Sequence, residues 1–445
     1  MKKIFKYIKV FILVFGICLL SMYVVCSFSS KYIKNSLQES LECIEKNLND
    51  KEVIILFHKK IMLDTCADAM MLNTAYCIEN NHPFYSLLFA RSNYVPDLSD
   101  KTVINHATSL QNYPQIMDLR KVLQGEKLVA IEYARYWHGY LVYLRPLLCF
   151  FNYMEIKGLT GILHLLLLGI LLYQIKKKIG MKYLVAVLFG MIAVDGYLTF
   201  LCLEASIGIN IILIESILFL SGKKKKGDCY FFIIGMLTAF FDLLTLPVAI
   251  CMFPLLLYVL TEKGDFKELL YSCIKYIILF GIGYLSMWVS KWILVDAIYD
   301  GGIVKNAISQ IFYRTGTYNI DMISPISFNF RSLGNVVSLF VVLLYMISTI
   351  VLIMISLKEK KISLENKKNF FVIVLGLAPM VWFGIMREHS LTHAYFTYRN
   401  LMITCICVQV VCIHLLERLF PKNRKYIFTI FILLDSMIVM LNYLF

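Results

Sequence analysis

Charged residues are scarce in this sequence of 445 residues: Asp, Glu, Lys and Arg make up 17% of the chain, whereas hydrophobic residues make up 59%. Soluble domains average ~25% charged and ~45–50% apolar residues. So large an apolar excess does not fit inside one water-soluble core. The composition therefore excludes an ordinary soluble protein and predicts that lipid surrounds part of the chain.

Metal and disulfide motifs are also missing. The 13 cysteines include no CxxC pair and no evenly spaced framework, so neither a zinc site nor a disulfide scaffold is predicted. Most cysteines lie inside apolar runs, where cysteine behaves as a small hydrophobic residue. A bond between Cys66 and Cys77 stays open. No HExxH motif is present, so no metal ligand is assigned, and a divalent cation is left open as a cofactor.

Eleven apolar windows suit helices that cross a bilayer, each of which needs ~20 predominantly apolar residues. The predicted fold class is therefore all-α, a polytopic membrane helix bundle. The first window is longer than the ~7–15 apolar residues of a signal peptide, so a retained span is expected there. The predicted spans are 8–28, 159–175, 183–202, 206–222, 229–246, 247–261, 270–290, 334–356, 369–386, 401–417 and 426–444.

The formal net charge is +14, and the lysines and arginines collect in every second loop between the predicted spans. Cytoplasmic loops of membrane proteins are enriched in Lys and Arg. The alternation predicts a multi-pass protein of the cell membrane with a cytoplasmic N-terminus and an exterior C-terminus. No basic face of a folded soluble domain is present, so nucleic acid is not a predicted partner. The basic loops are 176–182, 223–226, 263–267, 358–368 and 418–425.

The large loop after the first span contains two candidate catalytic carboxylates. Residues 32–56 and 61–78 both have helical patterns, and Asp64 and Asp68 lie four residues apart on one face of the second helix. One carboxylate can accept a proton from an acceptor hydroxyl. A helix cap at Asp64 with an exposed Asp68 is the alternative. The three predicted parts are a first transmembrane helix (1–28), a large exterior loop with amphipathic helices (29–158) and the remaining bundle (159–445).

Aromatic and basic residues collect just before the second predicted span. Trp137 and His138 suit stacking on a sugar ring, although interfacial anchoring explains aromatic residues at that depth equally well. The planar guanidinium of Arg145 suits a phosphate, and snorkelling toward the interface is the alternative. All three residues are candidate substrate ligands.

Three acids lie in or near the predicted spans, namely Asp195, Glu215 and Asp242. Ionisable residues at membrane depth are unfavourable and often functional. Asp242, followed by Thr245 and Pro247, predicts a broken helix end that faces an exterior cavity, so Asp242 is a candidate substrate ligand. For Asp195 and Glu215, hydrogen bonding between helices is the alternative.

A polar exterior loop near 387–400 contains His389, His393 and Arg399. The histidines have a spacing that metal sites use, but no third ligand follows them in sequence. The pattern therefore favours binding of an anionic headgroup, with a plain interfacial loop as the alternative.

A second exterior loop, near 291–333, contains Arg314, which is a further candidate substrate ligand. Cations on the exterior run against the charge rule. Combined with Arg145 and Arg399, they predict a basic exterior cavity for an anionic substrate that arrives from the membrane. The other cations of this loop are Lys291, Lys305 and Arg331.

This arrangement resembles the GT-C superfamily of membrane glycosyltransferases, in which a first span leads into a long exterior loop that carries the catalytic acid. The resemblance implies a polyprenyl-phosphate sugar donor, Asp64 or Asp68 as the base, arginines at the leaving phosphate, and inversion at the anomeric carbon. The blocks that carry it are Trp137-His138-Gly139, Phe241-Asp242-Leu243-Leu244-Thr245 and His389-Ser390 through Arg399.

The hypothesis is thus a glycosyltransferase of cell-envelope polysaccharide biosynthesis, with a lipid-linked sugar donor, a glycan or lipid acceptor, and membrane lipids as partners. An envelope polysaccharide polymerase or ligase is one alternative, although it typically has its large loop later in the chain. A transporter or flippase is another, and it would depend on Asp195 and Glu215 rather than on the first loop.

Overall fold

The computed structural model describes residues 2–47, 53–56, 59–62, 65–94, 114–126, 128–222, 228–299, 301–316, 320–359 and 362–444. The α-helices of these ranges are α1 Lys2–Cys26, α2 Lys34–Asn47, α3 Thr65–Tyr76, α4 Pro83–Phe89, α5 Pro114–Gln124, α6 Leu141–Leu148, α7 Tyr153–Lys178, α8 Met181–Ala193, α9 Leu203–Ser221, α10 Cys229–Phe241, α11 Pro247–Thr261, α12 Phe266–Tyr299, α13 Ile303–Arg314, α14 Ile323–Ser332, α15 Asn335–Lys358, α16 Leu364–Gly376, α17 Ala378–Ile385, α18 Arg387–Thr392, α19 Ala394–Thr397, α20 Met402–Leu419 and α21 Arg424–Leu444.

The prediction of a helical membrane bundle is confirmed. In the described residues, eight helical segments are long and apolar enough to cross a bilayer, since ~20 residues span its hydrocarbon core. They are Ile4–Cys26, Tyr153–Lys178, Leu203–Ser221, Phe266–Tyr299, Asn335–Lys358, Leu364–Ile385, Ala394–Leu419 and Arg424–Leu444.

The predicted count of eleven spans is not confirmed. Helices α8, α10 and α11 are apolar but contain only 13, 13 and 15 residues, which is less than the hydrocarbon core requires. Each is short for a local reason: α8 gives way to a 3₁₀ helix at Gly196–Leu201, and an irregular turn over 242–246 separates α10 from α11. Such breaks occur inside membrane bundles where protein surrounds them.

The segment between α1 and α7 is helical but not entirely so. The predicted helix over 32–56 is wrong at Val53–Leu56, which form a strand, and α3 begins at Thr65 rather than at 61. The all-α class therefore needs the correction that this segment contains two small antiparallel sheets. Cys66 and Cys77 form no disulfide. The strand pairs are β1 Val53–Leu56 with β2 Lys59–Met62, and β3 Ser92–Tyr94 with β4 Val129–Ile131.

Helices α10 and α12 pack closely because each has a glycine at their crossing. A Cβ atom at Gly235 would lie 2.1 Å from the carbonyl oxygen of Phe280, and one at Gly283 would lie 2.1 Å from that of Phe232. Small residues allow such close approach of helix backbones in membranes. The close pairing fixes the position of α12, whose C-terminal half lines one of the cavities described below.

The described residues in and beside the basic loops meet at one end of the bundle. Ion pairs and hydrogen bonds join loops that are far apart in sequence, as expected if they share one membrane surface. At the opposite end lie the first residues of α9 and α11 and the last residues of α10 and α17. The joining contacts are Lys178 with the carbonyl of Leu220, Lys182 with Glu417, Lys275 with Asp228, Lys368 with the carbonyl of Glu262, and Arg418 with Glu359.

Candidate functional site

A polar cavity of about 280 Å³ lies at the end of the bundle opposite the basic loops. Its walls come from α3, the segment 133–140, the start of α9, the end of α13 and the helices α18 and α19. Apolar atoms contribute most of its lining, and its uncharged polar residues are Thr74, Ser92, Gln115 and four tyrosines. The ionisable residues on its walls, tyrosines and Cys66 aside, are His138, Glu204, Arg314, His389 and His393.

A second cavity, also of about 280 Å³, is almost entirely apolar and lies between α12, α13 and α17. We call it the apolar groove. Trp288, Trp292 and Trp382 line it, which is three of the four tryptophans in the chain. Arg314 and Tyr136 line both the apolar groove and the polar cavity, and the Arg314 guanidinium lies 5.8 Å from the Tyr136 ring centre. The two spaces therefore meet at this pair.

Arg314 is fixed by a chain of hydrogen bonds. One of its terminal nitrogens lies 2.8 Å from Nδ1 of His389, and Nε2 of His389 lies 3.0 Å from the carbonyl oxygen of Leu244. Arginine only donates hydrogen bonds, so Nδ1 must accept, and Nε2 carries the proton that is donated to Leu244. His389 is therefore neutral and holds the guanidinium at the cavity wall. Leu244 itself has φ +69°, a conformation that L-residues rarely adopt.

The cavity histidines, His138, His389 and His393, are neutral at neutral pH. Burial lowers the pKa of His138 to about 3, and burial together with His393 and Arg314 lowers that of His389 to about 3. Burial and Arg314 lower the pKa of His393 to about 4. Desolvation disfavours the imidazolium, and a neighbouring cation adds to the effect. The positive charge of the cavity wall thus comes from Arg314, and the histidines supply neutral donors and acceptors.

The backbone at His138 and Gly139 is constrained by close contacts. It has φ +51°, and its ring nitrogens lie 3.2 Å from the hydroxyl of Tyr140 and the carbonyl of Tyr133. The next residue, Gly139, donates to the carbonyl of Phe240 at 3.0 Å, and a Cβ atom there would lie 2.4 Å from that oxygen. Only glycine fits this approach.

Trp137 and Lys291 make buried contacts that hold the segment 133–140, and neither residue lines the polar cavity. Trp137 is 1% exposed, and its Nε1 donates to the carbonyl of Met287 at 2.9 Å. Lys291 is fully buried, donates to the carbonyl of Tyr136 and lies 5.2 Å from the Trp137 ring centre. The predicted sugar-stacking role of Trp137 is therefore not supported by its position.

Asp242 lies behind the cavity wall. It is 2% exposed, and one carboxylate oxygen accepts from the Thr245 hydroxyl and, at 3.2 Å, from the Leu246 amide. This places the carboxylate at the N-terminus of α11, where negative charge is favourable. The predicted broken helix end is present, and Asp242 shapes the turn that carries the Leu244 carbonyl to His389.

Arg145 does not line the polar cavity. Its fully buried guanidinium donates to the backbone carbonyls of Val25 at 2.9 Å, Phe28 at 2.5 Å and Ala75. These bonds tie the end of α1 to the end of α3. The position gives Arg145 a structural contact rather than the predicted phosphate contact.

Arg399 lines a small pocket of about 10 Å³ that adjoins the polar cavity through Glu204, Tyr395 and Phe396. A space of that size holds about one water molecule. Arg399 is 5% exposed, and its Nε has no hydrogen-bond partner within the described residues. It therefore lies next to the site rather than on the wall of the main cavity.

Of the two predicted catalytic acids, the structure describes Asp68 but not Asp64. Asp64 lies outside the described residues. Asp68 is fully buried, and its carboxylate accepts from the Tyr153 hydroxyl at 2.6 Å and from the Leu203 and Glu204 amides at 2.9 and 3.3 Å. Burial raises the pKa of Asp68, although Lys157 and these donors oppose that effect. Asp68 therefore caps α9 and presents no open face to the cavity.

The remaining polar candidates do not line the polar cavity. Asp195 accepts from the hydroxyls of Tyr398 at 2.9 Å and Tyr443 at 2.8 Å, which is the helix-to-helix bonding given as its alternative. Glu215 is 4% exposed, and within the described residues neither carboxylate oxygen has a partner. Lys305 and Arg331 are exposed.

Glu204 is a functional candidate that the sequence pattern missed. It lies two residues before the predicted span at 206–222, so it was counted with neither the loop acids nor the membrane acids. The signal that could have found it is an acid directly beside an apolar run, at the start of a span. Tyr136 also lines the polar cavity and is also absent from the predicted site residues. Burial raises the pKa of Tyr136 to about 12, so its hydroxyl stays protonated.

In the described residues, no group of three His, Cys, Asp or Glu side chains is placed to hold a metal ion, and a divalent cation remains a prediction. Comparisons with known protein families, with curated proteins and with solved structures find no match for this chain. The functional inference therefore depends on the geometry of the site.

Proposed function

We propose that this protein is a membrane glycosyltransferase that transfers a sugar from a polyprenyl-phosphate donor to a cell-envelope acceptor. The observation that supports it most strongly is the meeting of an apolar groove and a polar cavity at one arginine, Arg314. A lipid-linked sugar has the same order of parts, namely an apolar chain, an anionic phosphate and a polar sugar.

The donor can lie across the two spaces in one orientation, with its lipid chain in the apolar groove and its sugar in the polar cavity. The lipid chain lies against Trp288, Trp292 and Trp382, where burial of apolar surface contributes ~25 cal/mol per Å². The phosphate lies at Arg314, whose planar fork suits phosphate oxygens. The sugar then enters the polar cavity beside the cavity histidines, whose neutral rings can donate or accept hydrogen bonds with its hydroxyl groups.

The acceptor fits the uncharged polar wall of the polar cavity. Thr74, Ser92 and Gln115 lie on that wall and are polar but uncharged. Such side chains bind hydroxyl groups without selecting for charge. The acceptor hydroxyl would reach the donor sugar on the side away from Arg314, which in-line displacement of the phosphate requires.

The basic loops support an exterior site. They meet at the end of the bundle opposite the polar cavity, and basic loops face the cytoplasm in most membrane proteins. The proposal therefore has the site on the exterior face, with the N-terminus in the cytoplasm and the C-terminus outside.

The proposal is tested with the purified full chain in lipid nanodiscs. The probes are a synthetic polyprenyl monophosphate and the matching uncharged polyprenol, and binding is followed by the fluorescence of the groove tryptophans. We expect the phosphate to bind more tightly than the alcohol. Arg314→Ala should weaken phosphate binding about 10- to 100-fold, because a hydrogen bond to a charged group contributes about 1.5–3 kcal/mol, while polyprenol binding should change little.

Lys305→Ala is the matched control, because Lys305 is an exposed cation on the same helix, α13, and lines neither cavity. Arg314→Lys keeps the charge but not the planar fork, and it should recover only part of the affinity. Transfer is then measured with radiolabelled polyprenyl-phosphate hexoses and envelope lipid extracts. Equal binding of phosphate and alcohol, or equal affinities in Arg314→Ala and Lys305→Ala, would contradict the proposal.

A transporter or flippase is the second candidate, and Glu215 is the observation that favours it. A carboxylic acid at membrane depth whose oxygens have no partner in the described residues is a feature of ion pathways. Glu215→Gln separates the two functions: sugar transfer should tolerate this change, whereas loss of lipid flipping in proteoliposomes with transfer never observed would favour transport.

A further inference from the structure

Glu204 is the one carboxylate on the wall of the polar cavity within the described residues. It lies in the first turn of α9 and is 9% exposed, so its side chain is mostly enclosed but reaches open space. It also lines the small pocket that contains Arg399. Glu204 therefore borders both the polar cavity and the small pocket that Arg399 lines.

The backbone of Glu204 is fixed by a residue from a distant part of the chain. Asp68, on α3, accepts hydrogen bonds from the amides of Leu203 and Glu204 and also from the hydroxyl of Tyr153 on α7. These contacts join three helices at the N-terminus of α9. The backbone from which the Glu204 side chain extends is therefore held by contacts among helices, which favours a preorganised catalytic group.

We propose that Glu204 is the general base of the sugar transfer, an inference that rests on the proposed function above. Neither Asp68 nor Asp242 lines the polar cavity, because the Asp68 carboxylate lies at the N-terminus of α9 and Asp242 lies in the turn before α11. Glu204 faces the same space as the uncharged acceptor wall and the cavity histidines. Arg314, the cation assigned to the leaving phosphate, lines the same cavity.

The step balances without a further reactant. The acceptor O–H bond breaks, and its proton moves to the carboxylate of Glu204. The acceptor oxygen forms a bond to the anomeric carbon as the bond from that carbon to the phosphate oxygen breaks. The electron pair of the broken bond stays on the phosphate, whose charge Arg314 neutralises. The product has the inverted configuration, and the proton later leaves Glu204 to water.

The test separates binding from transfer in the full chain in nanodiscs. Glu204→Gln keeps the size and the polarity of the side chain but cannot take the proton. We expect polyprenyl monophosphate to bind within about twofold of the wild-type affinity, while kcat for transfer from the labelled polyprenyl-phosphate hexose falls about 10²- to 10⁴-fold, the range of general-base catalysis. Arg314→Ala should instead weaken the binding of polyprenyl monophosphate.

A rescue experiment guards against a merely structural effect. Glu204→Ala leaves space beside the acceptor wall, and added formate should restore part of the transfer in this variant but not in Arg314→Ala. If the wild type transfers sugar and Glu204→Gln transfers at the same rate, the assignment of Glu204 is wrong and the proposed function stands. If the wild type neither binds the phosphate nor transfers sugar, the proposed function is wrong and the assignment falls with it.

Discussion

Asp68→Asn removes a buried negative charge that lies beside a buried ammonium. Asp68 is fully buried, Lys157 is 8% exposed, and the hydroxyl of Tyr153 lies between them, 2.6 Å from the carboxylate and 3.1 Å from the ammonium. Loss of one partner from a buried ion pair costs about 3–5 kcal/mol, because the other charge is left uncompensated. We expect Asp68→Asn to lower the free energy of unfolding by that amount.

Two further variants divide this loss among its causes. Tyr153→Phe removes one hydroxyl and should cost about 1–2 kcal/mol, the range for a buried hydrogen bond. The double variant Asp68→Asn with Lys157→Met removes both charges, so it should be less destabilised than the sum of its single variants by about 2 kcal/mol or more. Non-additivity of that sign is the signature of a buried charge pair.

The measurement is the unfolding of the purified chain in mixed micelles, followed by tryptophan fluorescence at constant detergent composition. The same preparations are assayed for sugar transfer. If Asp68→Asn unfolds like the wild type within about 0.5 kcal/mol, the range of an ordinary surface substitution, but loses transfer completely, then Asp68 acts in catalysis as the sequence predicted. The structural account of its carboxylate would then be refuted.

Gly139→Ala should destabilise the chain by about 1–3 kcal/mol, because the new Cβ would lie 2.4 Å from the carbonyl oxygen of Phe240. Gly158→Ala, where no atom lies within 4 Å of the new Cβ, is the control, and equal unfolding temperatures for the two variants would contradict the expectation. The cavity histidines predict that acid destabilises the fold, because their pKa values fall from about 6.5 in the unfolded chain to about 3–4 in the folded chain. Below pH ~6.5 the unfolded chain therefore binds more protons than the folded chain. The free energy of unfolding then decreases by up to ~1.4 kcal/mol per histidine for each unit by which the pH is lowered. His393→Gln should reduce this slope in unfolding curves between pH 7 and 5, and an unchanged slope would count against it.

The histidines and Arg314 could be predicted to lie at one end of the bundle because of where polar residues must lie in a membrane protein. His138, Arg314, His389 and His393 all come from polar connections between apolar segments, and the structure brings all four to one cavity. Polar groups avoid the hydrocarbon core, so such connections collect at the two ends of the bundle. The sequence could therefore indicate that these residues lie at an end of the bundle, but not which residues surround them there.

Arg145 and Asp68 show where residue type alone misleads. An arginine near a membrane surface suits a phosphate, but Arg145 donates to three backbone carbonyls at the ends of α1 and α3. An aspartate on a polar loop suits a base, but Asp68 caps a helix that begins 135 residues later. The helix-end partners of both residues are backbone groups, which leave no pattern in the sequence of side chains.

The sequence by itself determined that the chain lies in lipid, that it is built from apolar helices, and which loops carry the cations. These properties follow from composition and spacing, because burial in hydrocarbon depends on the local density of apolar residues. Only the tertiary structure decided that Arg314 lies where the apolar groove meets the polar cavity, that His389 holds it there, and that Glu204 faces the cavity while Asp68 does not. Those facts depend on contacts between residues far apart in the chain, where a few ångströms decide whether a carboxylate meets a helix end or open space.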